Sequence, residues 1–119
     1  MHIPKKCRTF ARNLKNAMPT LESIKQLGKQ VIPANGHLWL YGSRARGDNR
    51  ETSDWDLLVL LNKNKREYSD FDNYEYPFIE LGASIGENIS AHLYTTDEWN
   101  SMSFTPFYHN VEQDKKVLI

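Results

Sequence analysis

Two aspartates, Asp54 and Asp56, stand at the start of a strongly apolar run, "LLVLLN". Alternate residues of a strand point to the same side, roughly 6.5–7 Å apart, so both carboxylates face one side and Trp55 faces the other. Like charges this close repel each other, and a divalent cation relieves the repulsion. Carboxylates suit Mg²⁺, which proteins often bind together with substrate phosphates. The pair predicts either a Mg²⁺ site or, more plainly, an exposed acidic turn capped by Ser53.

A Gly-Ser turn ends the preceding apolar run, "HLWLY". Gly42 allows the backbone to turn tightly and a ligand to approach it closely. The hydroxyl of Ser43 and the amides that follow then face the space beyond the strand, and amides at the start of a helical turn favour phosphate. Arg44 and Arg46 add positive charge that can neutralise a polyphosphate. A phosphate-binding turn beside a carboxylate pair indicates a site for a metal-bound nucleoside triphosphate.

The order Gly42-Ser43, ten residues, Asp54-x-Asp56 resembles the signature of the minimal nucleotidyltransferases. These are small relatives of DNA polymerase beta, kanamycin nucleotidyltransferase and the CCA-adding enzymes, and the similarity is specific over about residues 20–62. It implies the polymerase beta-like fold of class α+β, a small mixed sheet flanked by helices. It also implies that the turn holds triphosphate and that both aspartates bind Mg²⁺, with Mn²⁺ as an alternative. The implied reaction is in-line attack on the α-phosphate with the help of two metal ions.

Active members of this family usually supply a third carboxylate from a neighbouring strand. The matching run in this chain is "AHLYT" (91–95), which has His92 at that position. His92 belongs to the polar face of its predicted strand, and a neutral imidazole can bind a metal or accept a proton. We therefore predict Asp54, Asp56 and His92 as the catalytic residues, with a histidine of no role as the alternative. A second alternative is that a nearby acid takes the third position, either Glu80 on a helix or one of the three acids outside the strand, Glu87, Asp97 and Glu98.

The resemblance implies an enzyme that transfers a nucleoside monophosphate, with AMP from ATP the expected case, to an acceptor. Larger members carry an additional helical domain for which 119 residues leave no room, so we expect the acceptor on another molecule and the chain in an oligomer or hetero-complex. Minimal nucleotidyltransferases often serve as antitoxins of a small helical HEPN protein, which they bind and in some cases adenylylate. The alternative is therefore a weakly active or inactive antitoxin that binds a HEPN-type partner.

Length and charge predict one domain over residues 1–119, with residues 1–18 as a basic N-terminal helical arm. Residues 1–30 carry seven Lys or Arg residues and one acid, Glu22. Such a segment binds nucleic acid or an acidic partner, docks on the acidic surface of its own chain, or is a solvated helix face. No apolar run approaches ~18 residues, so no membrane span is expected, and the N-terminus lacks a secretory signal. The single Cys7 fits a reducing compartment, and the predicted location is the cytoplasm.

Apolar periodicity predicts the elements that position these residues. We expect helices over residues 8–17 and 21–31, strands over 37–41, 55–62 and 89–95, and a helical region over 66–87. Residues 55–62 are apolar without interruption, which places this strand centrally in the sheet. Pro77 either kinks the 66–87 region or opens a second helix. Thr20 and Thr105 are predicted N-caps, and the aromatic residues Phe71, Tyr74, Tyr76 and Phe78 are predicted core.

Overall fold

The computed structural model describes residues 19–119, so the predicted basic arm of residues 1–18, with its helix and Cys7, lies outside the described residues. In chain order the elements are α1 (Thr20–Val31), β1 (His37–Tyr41), α2 (Ser43–Arg46), β2 (Trp55–Leu61), a π-helical turn (Phe71–Glu75), α3 (Tyr76–Ile85), β3 (Ile89–Thr95), α4 (Thr96–Ser101), α5 (Pro106–Asp114) and β4 (Lys116–Val117). The predicted α+β class, a small mixed sheet flanked by helices, is confirmed. The extent of the domain over residues 1–119 stays a prediction.

The sheet has the strand order β3-β2-β1-β4. β2 runs antiparallel to β1 and parallel to β3, and β4 adds a short antiparallel edge to β1. The central position predicted for β2 is therefore confirmed. Its side chains alternate between two cores: Leu57 and Val59 lie in one, while Leu58 and Leu60 lie in the other. Burial on both faces explains why this strand reads as an unbroken apolar run.

A helical layer covers each face of the sheet. On one face α1 and α3 contribute Ile24 and Phe78, which are both fully buried. On the other face α4 and α5 contribute Trp99 and Val111. The Trp99 ring meets Trp39 edge-on at 5.9 Å between centroids, and its Nε1–H donates to Glu112 at 2.8 Å. Among residues 19–119 no helix is long and apolar enough to cross a membrane, and the predicted cytoplasmic location stays a prediction.

One of the two predicted N-caps is present and the other is not. Thr105 Oγ1 accepts a hydrogen bond from the Tyr108 N–H at the start of α5, as predicted, and Pro106 is the first residue of that helix. The prediction that Thr20 caps the first helix is wrong, because Thr20 is already helical. Pro19 occupies the cap position with φ −61° and ψ 154°, an extended conformation that proline adopts readily.

The 66–87 region forms two helical segments and not one kinked helix, so the second alternative predicted for Pro77 is confirmed. The π-helical turn precedes α3, and Pro77 lies in the first turn of α3. The core assignment holds for Phe78 and in part for Tyr74, which is half-buried against the core, but it is wrong for Phe71 and Tyr76, whose exposed fractions are 48% and 36%. A π-helical turn holds about one more residue than an α-helical turn, so Phe71 at its start is rotated out of the 3–4 spacing.

Candidate functional site

Asp54 and Asp56 lie at one end of the sheet, where three chain segments meet. Asp56 is level with Tyr41 at the end of β1 and with Ser90 at the start of β3. Asp54 directly precedes β2, and its Oδ1 accepts a 2.6 Å hydrogen bond from the side-chain amide of Asn88. The carboxylate pair is therefore held between the end of one neighbouring strand and the beginning of the other.

The predicted phosphate turn lies directly against this pair. Gly42 has φ +75° and ψ −160°, a conformation that is essentially restricted to glycine. A Cβ atom added to Gly42 would collide with Oδ2 of Asp56. The short helix α2 then begins at Ser43, and the N–H groups of Ala45 and Arg46 donate to the Gly42 carbonyl at 3.0 Å. The fold thus brings together Gly42, Ser43 and Asp56, which the sequence analysis predicted as parts of one site.

Burial and charge both act on Asp56, which is half-buried. Burial raises the pKa of its carboxyl, and the negative charge of Asp54 raises it further. His92 and Arg46 oppose this rise in the pKa of Asp56, so both lie within electrostatic range. The surrounding protein therefore does not fully balance the negative charge of Asp56, which favours a bound proton or cation beside this carboxylate.

His92 lies on the same face of the sheet as Asp56. Asp56 pairs with Ser90, and His92 follows Ser90 by two residues, so strand alternation puts all three on one side. The Ser90 hydroxyl and His92 Nε2 are 3.3 Å apart, and the imidazole is exposed. Its predicted catalytic role stays a prediction.

The two arginines of the turn have different surroundings. Arg46 is exposed and pairs with Asp48 at 3.1 Å and with Asp114 of α5 at 2.9 Å. The side chain of Arg44 is only 12% exposed, and its guanidinium donates to the backbone carbonyls of Glu51 and Ser53. Phosphate binding by either arginine stays a prediction, and the placement of Arg44 does not favour a direct contact.

The donor set fits one hard cation better than two. Within residues 19–119 no three His, Cys, Asp or Glu side chains form a group that could hold a metal ion. Asp54 and Asp56 supply oxygen ligands, and Mg²⁺ is commonly held by one or two carboxylates together with substrate phosphates. Two of the other acids have partners elsewhere: Glu87 accepts from Trp55 Nε1 and Glu98 caps α4. The described residues therefore offer a carboxylate pair without a third carboxylate beside it.

Sequence reasoning missed two residues of this site. Asn88, which orients Asp54, could have been found because it directly precedes the strand that carries His92. Tyr41 directly precedes Gly42 and shares the face of Asp56. Burial, then the charges of Asp56 and Tyr94, raise the pKa of Tyr41 to about 12, so its hydroxyl stays protonated.

Comparison with known proteins agrees with this geometry. A family model described as "Polymerase beta, Nucleotidyltransferase" matches residues 22–119. A solved chain from the "Crystal structure of the toxin-antitoxin with AMP-PNP" superposes with a TM-score of 0.56 at 16% identity, covering 85% of this chain and 73% of that chain. No curated protein matches the chain. Since the family model spans the carboxylate pair, the glycine turn and all four strands, this chain belongs to the polymerase beta nucleotidyltransferase family.

Proposed function

We propose that this chain transfers a nucleoside monophosphate, AMP from ATP in the expected case, to an acceptor on another molecule, with pyrophosphate as the leaving group. The observation that carries the proposal is the contact between the Gly42 turn and the carboxylate of Asp56. A triphosphate on the turn would be within reach of a cation held by Asp54 and Asp56. A bound Mg²⁺ ion would supply charge neutralisation and polarise the phosphate oxygens.

The described residues have separate tasks in this proposal. Asp54 and Asp56 hold the cation, and Asn88 fixes the orientation of the first carboxylate through its 2.6 Å hydrogen bond. The Ser43 hydroxyl and the amides after Gly42 contact the triphosphate. His92, on the same face of the sheet, accepts the proton of the attacking hydroxyl.

The test is thermal unfolding with Mg²⁺ and ATP, together and separately. A ligand that binds only the native state stabilises it, by about 2.7 kcal/mol at a hundredfold excess over Kd. Mg²⁺ and ATP together should raise the midpoint, whereas ATP alone should raise it much less because the carboxylates repel the triphosphate. Asp56→Asn is the control and should lose the combined shift. A wild-type midpoint that responds to Mg²⁺–ATP no more than to Mg²⁺ would refute the triphosphate site.

A second function is favoured by His92 and by the lack of a three-ligand group among residues 19–119. In this reading the chain is weakly active or inactive and acts as the antitoxin partner of a HEPN-type protein. The likeness to a chain from a toxin–antitoxin crystal structure supports it at the level of the fold.

Label transfer from ATP to a candidate partner separates the two functions. If the missing carboxylate limits the reaction, His92→Asp should increase incorporation, since a general base typically contributes ~10²–10⁴-fold. Asp54→Asn provides the blank. Strong incorporation by the native protein that His92→Asp reduces would support His92 as the base, whereas strong incorporation that His92→Asp leaves unchanged would show that another residue completes the site.

A further inference from the structure

Three side chains form a cluster on the side of β2 opposite the carboxylates. The Arg44 guanidinium lies over the Trp55 ring, 4.5 Å from its centroid. The Trp55 Nε1–H donates to Glu87 Oε2 at 3.0 Å, and Arg44 Nη2 lies 3.9 Å from the same oxygen. We call Arg44, Trp55 and Glu87 the Trp55 clamp.

The clamp also holds the backbone that leads into the carboxylate pair. Arg44 Nε and Nη2 both donate to the Ser53 carbonyl, at 3.2 and 3.0 Å, and Nη2 also donates to the Glu51 carbonyl at 2.9 Å. Ser53 directly precedes Asp54 in the chain. One guanidinium therefore lies over the indole ring while its N–H groups hold the loop before the first aspartate.

Each clamp residue is the chain neighbour of a site residue. Arg44 follows Ser43, Trp55 separates the two aspartates, and Glu87 precedes Asn88. Alternate residues of a strand point to opposite sides of the sheet. Trp55 therefore anchors the start of β2 on one face of the sheet, and the two carboxylates lie on the other face. The clamp thus joins the phosphate turn, the start of β2 and the approach to β3.

We propose that Arg44 is a positioning residue that sets the spacing between the turn and the carboxylates through Trp55 and Ser53, and does not itself bind phosphate. The inference rests on the proposed nucleotide site. The proposed role requires an arginine. A planar guanidinium can pack on an aromatic ring and donate several hydrogen bonds at the same time, whereas the ammonium of lysine is a compact point charge.

The first measurement is Mg²⁺–ATP affinity by calorimetry. Arg44→Ala and Arg44→Lys should both weaken binding, by about tenfold, while Glu87→Gln, which keeps an acceptor for the indole N–H, should lie closer to wild type than Glu87→Ala. Arg50→Ala is the matched control, since it removes the same charge from an exposed position in the same loop. Affinity retained by Arg44→Lys would indicate direct phosphate binding and overturn the proposal.

A double-mutant cycle tests whether Arg44 acts through Trp55. When two residues act through one another, the effects of their substitutions on binding do not add. The double variant Arg44→Ala/Trp55→Leu should therefore bind Mg²⁺–ATP about as tightly as whichever single variant binds it more weakly. If Arg44→Ala weakens binding by the same factor in both backgrounds, the guanidinium acts independently of the indole and the proposal fails.

Hydrogen exchange of unliganded protein separates this inference from the proposed function. Arg44→Ala and Trp55→Leu should each speed exchange in residues 47–54 and leave α5 unchanged. If wild type binds no Mg²⁺–ATP but the loop exchanges faster in both variants, the nucleotide site is wrong and the clamp still orders the loop. Wild-type binding of Mg²⁺–ATP with unchanged loop exchange in both variants would refute the clamp.

Discussion

Replacement of Gly42 by alanine should be among the most damaging single-methyl changes in this chain. The backbone at φ +75° and ψ −160° is nearly restricted to glycine, and forcing another residue into it costs about 1–3 kcal/mol. The new methyl group would also meet the Asp56 carboxylate, and turning this side chain away from its preferred rotamer adds about 0.5–1.5 kcal/mol. We therefore expect Gly42→Ala to lower the free energy of unfolding by about 1.5–4.5 kcal/mol.

The assay is urea unfolding, with Gly47→Ala as the matched control. Gly47 also has a positive φ, +87°, but a methyl group there would meet nothing within 4 Å. Its replacement should cost only the backbone term, about 1–2 kcal/mol. The collision itself is measured by making Gly42→Ala in an Asp56→Ala background, where the extra cost of about 0.5–1.5 kcal/mol should disappear.

Two results would refute this reasoning. One is a Gly42→Ala protein that unfolds at the same urea concentration as Gly47→Ala. The other is an unchanged cost of Gly42→Ala when the Asp56 carboxylate has been removed. Either outcome would mean that the turn does not lie against Asp56, and the geometry that carries the proposed function would then be wrong.

Three further changes test other contacts by urea unfolding. The pKa of Asp56 is raised, so its ionisation costs folded-state stability, and Asp56→Asn should become more stable relative to wild type as pH rises from the ordinary carboxyl pKa of 3.8 through the raised one. The pKa of Asp70 is shifted in the opposite direction: burial alone would raise it, but the hydrogen bonds from Lys63 and the Glu67 N–H, with the charges of Lys63 and Arg66, together outweigh burial and lower it. Asp70→Asn should thus lose about 1–3 kcal/mol at neutral pH, and the difference from wild type should vanish as pH falls through the lowered pKa. Trp99→Phe removes the N–H that donates to Glu112 and should cost about 1–3 kcal/mol at neutral pH.

Local patterns in the sequence predict most of the framework. The strand at residues 37–41 has its predicted bounds, and β2 ends one residue before its predicted end. The glycine turn and the two aspartates were expected to meet because they occupy the facing ends of neighbouring strands. These predictions depend on periodicity and turn chemistry, which act over a few residues.

The missed features depend on contacts between distant segments. The sequence shows that Arg44 is cationic and lies beside a turn. It does not show whether the guanidinium faces a phosphate or an indole ring. Its orientation follows from the packing of Trp55 against Glu87, which the strand register decides. The π-helical turn was missed for a related reason, because its extra residue leaves no periodic signal in five residues.

The order of strands in the sheet has a consequence for the folding pathway. β1 and β2 follow each other in the chain and pair antiparallel, so only a short loop must close, whereas β3 joins after the crossover through α3. Closure entropy grows with loop length, and distant pairings form slowly. We expect the Gly42 turn and the Asp56 carboxylate to meet early in folding, before β3 delivers His92. Trp39 pairs with Val117, and these two residues are far apart in the chain. We therefore expect β4 to pair with β1 late in folding and to separate from it first in unfolding.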